Sequence, residues 1–368
     1  MTMASPTTRL ASLDALRGFD MLFIMGGQGL VYAVAAALGH PEFEASFGHV
    51  EWHGLQFMDV IFPLFLFMAG VSFPFSCAKS REKGLGDGMI ALKALRRGIA
   101  LFLLGLVYND ILQFDFAHLR VWSVLGRIGV AWMIAAWLYL VLGLKARLGV
   151  AVGILAAVTL GTYLLTAPGA PSPVDPFSPE GNLGCWLDRT LTGGHIYRPL
   201  YDPEGFAGFF PSIVTAMLGM FAGEIVRRGR PAATGLKTLE LLAASVLCLV
   251  AGAALACVFP INKALWSPSF TLVAGGISFA LFALFYWIVD VRCWKQWTLF
   301  FTVIGMNSIT IYMAQRIIGF RIAHDFLFGG IASLFPDAWG AVVLQVGYIA
   351  VCWLFLYFLY RKNVFLRV

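Results

Sequence analysis

Apolar runs of about twenty residues recur along this chain, near 14–37, 57–77, 94–113, 122–143, 147–166, 206–227, 238–259, 268–289, 297–317 and 338–360. At a rise of about 1.5 Å per residue, twenty helical residues match a hydrocarbon core roughly 30 Å thick. Lipid offers the backbone no hydrogen-bond partner, so such runs satisfy their own polar groups by folding as helices. The predicted fold class is therefore all-α: a polytopic membrane helix bundle of about ten transmembrane helices, forming one domain over 1–368. A content of 60% hydrophobic and only 12% charged residues excludes a soluble domain, whose composition is roughly a quarter charged.

The charges fix a direction. With the N-terminus inside, the inner segments collect Arg9 and Arg17, then Lys79, Arg81, Lys83, Lys93, Arg96 and Arg97. They go on to collect Lys145 and Arg147, then Arg227, Arg228, Arg230 and Lys237, then Arg292 and Lys295, and finally Arg361, Lys362 and Arg367. These are most of the 26 basic residues, so the positive-inside rule puts both termini in the cytoplasm. The same scatter accounts for the net charge of +6 without a nucleic-acid partner, which would call for one basic cluster. All six histidines, His40, His49, His53, His118, His195 and His324, fall in or beside segments on the other side. One face can move protons and the other can hold an anion, as expected of an enzyme or carrier working across a bilayer.

The first apolar run follows Arg9 and Arg17 and ends in Ala35, Ala36 and Ala37, like a signal peptide with its cleavage site. It is long enough to span and reads as a retained first helix. The connection 167–205 holds seven of the 16 prolines and is predicted to be an ordered outer, periplasmic loop. The six cysteines have no metal-binding spacing, and no metal is expected. Cys185 and Cys257 both face outward, which leaves one disulfide open.

A polar residue at the centre of a membrane helix costs roughly 2.5 to 3.5 kcal/mol on insertion scales, so each needs a partner or a wet cavity. The candidates are Asp20 and Gln28 on the first helix, Asp59 at the start of the second, Arg127 near the start of the fourth, and Asn307 with Ser308 in the ninth. Ten residues beyond Trp297, Asn307 lies about 15 Å deep. The outer block His49 to Asp59, with Glu51, Trp52 and His53, fits a proton-handling site with an aromatic wall. It equally fits an interfacial belt in which Trp52 anchors and Asp59 caps. Asp14, Arg17 and Asp20 share a helix face and pair, or Arg17 joins Arg96, Arg97 or Arg147 in holding phosphates. Asp202 and Glu204 bind a sugar or an amine, or cap the following helix. His40, His118 and His324 read as solvated loop residues.

At these residues the chain resembles the transmembrane acyltransferases typified by heparan-α-glucosaminide N-acetyltransferase, especially their bacterial NagX-type relatives. The resemblance rests on Ser12 to Gly18, His49 to Pro63, Val124 to Ile128, Leu187 to Arg189, Tyr201 to Gly205, Pro260 to Ser267 and Gly305 to Ile309. It implies acetyl transfer from cytosolic acetyl-CoA, as cosubstrate, to the amino group of glucosamine or a related amino sugar across a bacterial inner membrane, and a homodimer. In that family the essential histidine stands ten residues before the aspartate that opens the second helix, which selects His49 with Asp59. The family asparagine eleven residues beyond the Arg-Gly pair is Gln28 here. The implied site has His49 as base or acyl carrier, Asp59 as its orienting group, and Gln28, Asn307 or Arg127 as donors to the thioester carbonyl. Arg17, Arg96, Arg97, Arg127 and Arg147 hold the cofactor, and Trp52, Asp188, Asp202, Glu204, Asn262 and Lys263 hold the acceptor. The rival reading is an amino-sugar transporter or transport-associated protein without acetyl transfer, since buried polar residues with two-sided access also describe carriers.

Overall fold

The computed structural model describes residues 10–193, 195–229 and 234–366; Arg9, Arg230 and Arg367 lie outside them. The described residues form helices and loops, with one isolated bridge between Thr166 and Asn182. In chain order the helices are α1 (Ala11–Leu22), α2 (Gln28–Ala37), α3 (Phe43–Phe47), α4 (Phe57–Glu82) and α5 (Asp87–Tyr108). Then come α6 (Val124–Val141), α7 (Leu144–Leu164), α8 (Leu183–Leu191), α9 (Phe209–Arg227) and α10 (Gly235–Ala256). The last are α11 (Pro268–Phe285), α12 (Thr298–Met306), α13 (Ser308–Ile317), α14 (Phe320–Ala332) and α15 (Asp337–Arg361).

Among the described residues, eight helical stretches are long and apolar enough to cross a membrane. The remaining two expected spans have visible reasons for falling short of that description. Helix α5 carries Lys93, Arg96 and Arg97 in its first half. The run 297–317 is broken at Asn307, whose φ of −123° and ψ of 28° separate α12 from α13.

Two compact units make up the chain. The first comprises the described residues within 1–44, 232–240 and 280–367. Here α1 and α2 are joined by a wide turn, Phe23–Gly27, in which Gly26 adopts φ 134°, a conformation open to glycine and strained for other residues. Gly18 lets α1 lie directly on the Phe301 carbonyl of α12, and Gly305 lies on the Asp14 carbonyl. Ser12 donates to Asp290 through both its amide and its hydroxyl. Asp20 is fully buried, and its carboxylate accepts no hydrogen bond among the described residues. His324 corrects the expectation of a solvated loop residue: it sits in α14, is only 9% exposed, and packs its ring edge-on to Tyr348.

The second unit, within 45–231 and 241–279, is built around α4 and α9. Gly70 faces Ala216 and Gly219, while further along Gly223 faces Val71 and Pro74, so the two helices run parallel. Helices α5 and α6 run antiparallel, with Gly98 against Gly129 and Gly105 against Ser123. These seams exist because lipid supplies little hydrophobic drive between helices, and small residues gain contact by close backbone approach. The starts of α4, α6 and α9 therefore share one end, here called the His49 end, and Glu82, Val141 and Arg227 share the other. Ser123 caps α6 by accepting from the Gly126 amide at 3.0 Å, and Asn182 caps α8 by accepting from Gly184 and Cys185. The 167–205 segment thus carries a helix of its own. Cys185 and Cys257 are both free, so the disulfide left open does not form.

A Cβ at Gly219 would strike the Phe67 carbonyl. Gly219→Val is expected to destabilise the protein by about 1–3 kcal/mol or more, as overpacking does. A lowered midpoint in thermal unfolding of the detergent-solubilised protein checks this.

Candidate active site

Asp59, in the first turn of helix α4, reaches back to cap the backbone that leads into it. Asp59 Oδ2 accepts from the Gln56 amide at 3.0 Å and from the Val50 amide at 3.3 Å. Its other oxygen lies 2.7 Å from His49 Nδ1 and 3.4 Å from Lys263 Nζ. Lys263 Nζ also lies 3.1 Å from the same ring nitrogen. The Asp59 side chain is 1% exposed and that of His49 is 51% exposed, so a buried carboxylate grips one edge of an open imidazole. His49 Nε2 makes no hydrogen bond among the described residues. With the proton on Nδ1 donated to Asp59, Nε2 carries a lone pair toward solvent, the arrangement a general base requires.

Lys263 is presented by a turn that Asn262 builds. Fully buried, Asn262 accepts from the Leu265 amide through Oδ1 at 2.8 Å, places Nδ2 3.3 Å from His53 Nδ1, and donates its own amide to Ser267 Oγ at 3.0 Å. Burial lowers the Lys263 ammonium below its ordinary value, while Asp59 and Glu204 oppose the shift. Burial also lowers His53, with Asp175 opposing. Trp52 donates through Nε1 to the Phe177 carbonyl at 2.8 Å and meets Tyr201 edge-on at 4.7 Å, so the aromatic wall is tied to the 167–205 segment.

A layer of buried charge lies at the same end. Asp202 accepts from Arg120 at 2.7 and 2.5 Å and from the amides of Tyr197 and Glu204. Glu204 also accepts from Arg120. Burial works against the Arg120 charge, but the two carboxylates outweigh it and hold the guanidinium above its ordinary value. Arg127, 2% exposed, donates to the Gly205 carbonyl and stands over the Trp266 ring at 5.2 Å; its Nε and Nη1 have no hydrogen-bond partner among the described residues. Asp188 accepts from the Phe206 amide, and burial raises its carboxyl to about 7, against the pull of that amide and of Arg127.

The structure thus brings His49, Asp59, Lys263, Asn262, Trp52, Asp188, Asp202, Glu204 and Arg127 to one end of the second unit. Of the arginines expected to hold the cofactor, Arg127 and Arg147 lie at opposite ends of this unit. Arg147 pairs with Glu224 at 2.7 Å at the opposite end. Arg97 stands over Trp132 at 4.5 Å, midway along α5, and Arg96 is exposed on the same helix. Arg17, Gln28 and Asn307 belong to the first unit. There Arg17 lies 3.7 Å from Asp14, Gln28 donates to the Tyr32 hydroxyl at 2.7 Å, and Asn307 accepts from Thr310 at 3.3 Å. Among the described residues no group of three or more His, Cys, Asp or Glu side chains is placed to hold a metal. Sequence reasoning missed Arg120; its only sequence signal is an arginine stranded on the histidine-rich side.

The model of the heparan-α-glucosaminide N-acetyltransferase catalytic family matches residues 9–261, well over half of the chain. The chain belongs to this family. The human heparan-α-glucosaminide N-acetyltransferase is 25% identical over 429 residues, an alignment covering 98% of this chain and 60% of the relative. The mouse enzyme of the same name is 26% identical over 365 residues, covering 85% of this chain and 55% of the relative. The chain thus spans less than two thirds of the length of these relatives. With its apolar helices, membership makes it a multi-pass membrane protein. The family match takes in His49 and Asp59 and ends two residues before Lys263.

Two outcomes follow. Arg120→Met leaves Asp202 charged and buried without its partner, and is expected to lower stability by about 3–5 kcal/mol, read as a loss of thermal midpoint. Folding raises Asp188 above its ordinary 3.8, so between 3.8 and about 7 the unfolded chain has released a proton that the folded chain keeps. This contribution is complete below 3.8 and is lost as pH rises through about 7. The thermal midpoint of the wild type should therefore fall relative to Asp188→Asn as pH is raised across that window, and a constant difference between the two would contradict the assignment.

Proposed function

We propose that this chain is an integral-membrane N-acetyltransferase that moves acetyl from acetyl-CoA to the amino group of glucosamine or a related amino sugar. The observation that carries the proposal is the exposed His49 ring held at Nδ1 by buried Asp59, with Nε2 open to a substrate. Family membership supports the reaction class, and the names of the human and mouse relatives support an aminosugar acceptor. The basic residues along the chain support a topology with the His49 end in the periplasm of a bacterial inner membrane and the donor arriving from the cytoplasm.

In the reaction the neutral amine attacks the thioester carbonyl, forming the C–N bond, and the C–S bond breaks. His49 Nε2 takes the proton from the amine nitrogen and returns it to the departing sulfur, so that amide and thiol are the products. Asp59 keeps the imidazole in the productive tautomer and stabilises the imidazolium while it exists. Lys263 offsets the Asp59 charge in the resting site. The aromatic wall of Trp52 and Tyr201 presents flat apolar surface suited to a sugar face.

Assayed with acetyl-CoA and glucosamine, His49→Ala is expected to lose about 10²–10⁴-fold in acetyl transfer while keeping its thermal midpoint. Asp59→Asn, which cannot impose the same tautomer, should also lose activity. Wild-type turnover in a folded His49→Ala protein would remove the imidazole from the mechanism.

A further inference from the structure

The end of the second unit opposite His49 holds a recess of about 400 Å³ lined by Leu144, Glu224, Arg227, Arg228 and Gly229. Its size falls within the roughly 300–1,000 Å³ of small-molecule sites. It forms where α9 stops: Arg228 leaves helical geometry with ψ 142°, and Gly229 follows at φ 72°. Nineteen residues of helix put this point about 28 Å from Phe209, at the far end of the spans.

The charges around the recess do not cancel. Glu224 gives one oxygen to Arg147 at 2.7 Å and keeps Oε2 without a hydrogen-bond partner. Arg147 is itself buried, its side chain 6% exposed, with Nε and Nη1 making no hydrogen bond and its guanidinium 4.4 Å from the Tyr139 ring. Arg227 and Arg228 form no ion pair with any described residue. Two exposed guanidinium groups thus line the recess beside a carboxylate whose charge Arg147 already meets. Guanidinium groups match phosphate oxygens in geometry and are less tightly hydrated than ammonium groups. Leu144, itself exposed, gives the recess an apolar edge at the end of the spans, where a phosphate carried at a membrane surface can reach it.

We propose that this recess is a phosphate-binding site, occupied by the phosphate of an anionic lipid headgroup or by free phosphate, and that Arg227 and Arg228 are its principal ligands. The test of this proposal reads binding alone and requires no acetyl transfer.

The full chain, purified and placed in nanodiscs, is compared with R227Q/R228Q and with Leu144→Trp, which fills the recess and leaves every charge in place. In one arm, retention of phosphatidylglycerol against phosphatidylcholine is measured by native mass spectrometry. In the other, inorganic phosphate is titrated and followed by ³¹P line broadening in phosphatidylcholine discs. The wild type is expected to bind in at least one arm, with both variants reduced at least tenfold in that arm, and the responding arm identifies the source of the phosphate. Absence of wild-type binding in both arms, or wild-type binding by Leu144→Trp, overturns the proposal. If R227Q/R228Q has a lowered thermal midpoint, Leu144→Trp alone decides.

Discussion

One carboxylate organises the candidate site. Asp59 closes the first turn of α4, accepts the amide of Val50 from the preceding loop, and meets His49 and Lys263 with its remaining oxygen. A buried charge is tolerable only when its lone pairs are filled and a counter-charge is near, and Asp59 meets both conditions. The consequence is positional. Because the carboxylate is fixed by backbone donors, it cannot rotate to follow the imidazole, so the imidazole is oriented by it. The loop that carries His49 is further pinned by the Gly54 amide, which donates to the Ile261 carbonyl at 2.8 Å, just before the Lys263 turn.

The charge layer at the same end shows why so many ionisable residues are buried there. Segments 115–123 and 259–267 contain no long helix, and 167–208, rich in proline and glycine, holds only the short α8, so these segments lack the regular backbone bonding of the spans. Asp202 and Asp188 replace part of that missing network by accepting backbone amides from Tyr197, Glu204 and Phe206. Arg120 repays the desolvation of Asp202 with two charge-assisted bonds, and reaches Glu204 as well. Arg127 is left with one carbonyl and an aromatic face. Its buried N–H groups make this the least satisfied point of the layer, and such points are where polar substrate groups gain most by arriving.

What the sequence makes legible follows from which forces act locally. Apolar length selects helices whatever their neighbours, so the spans near 57–77, 206–227 and 338–360 reappear as α4, α9 and α15 within a few residues. The ten-residue step from His49 to Asp59 is legible because both belong to one loop and one helix start. The break at Asn307 is not, since Met306 and Ser308 flank it with residues equally at home in a continuous helix. Arg127 and Arg147 look alike as basic residues near helix ends, yet they lie at opposite ends of the second unit. Direction along a helix, rather than proximity to its end, decides which face such a residue serves. Asn262 and Lys263 are neighbours with similar polarity; only the turn reveals that the first is buried in backbone contacts while the second reaches the carboxylate. Arg120 was invisible for a different reason: its partners are 82 and 84 residues away, and no local pattern encodes that pairing.

The glycine seam between α4 and α9 ties these two scales together. Gly70 lies eleven residues beyond Asp59, and Gly219 lies ten residues beyond the start of α9, so each helix extends about 15–16 Å from the crossing to the His49 end. Over a lever of that length a rotation of roughly 5° at the crossing displaces Asp59 by about 1.4 Å. Displacements near 1 Å are enough to cost a positioned reaction about a hundredfold. Backbone-to-backbone contact at Gly70 and Gly219 permits no side-chain rotamer to absorb such a rotation. The small residues buried midway along the spans therefore fix where the end of α4 that carries Asp59 stands relative to the start of α9.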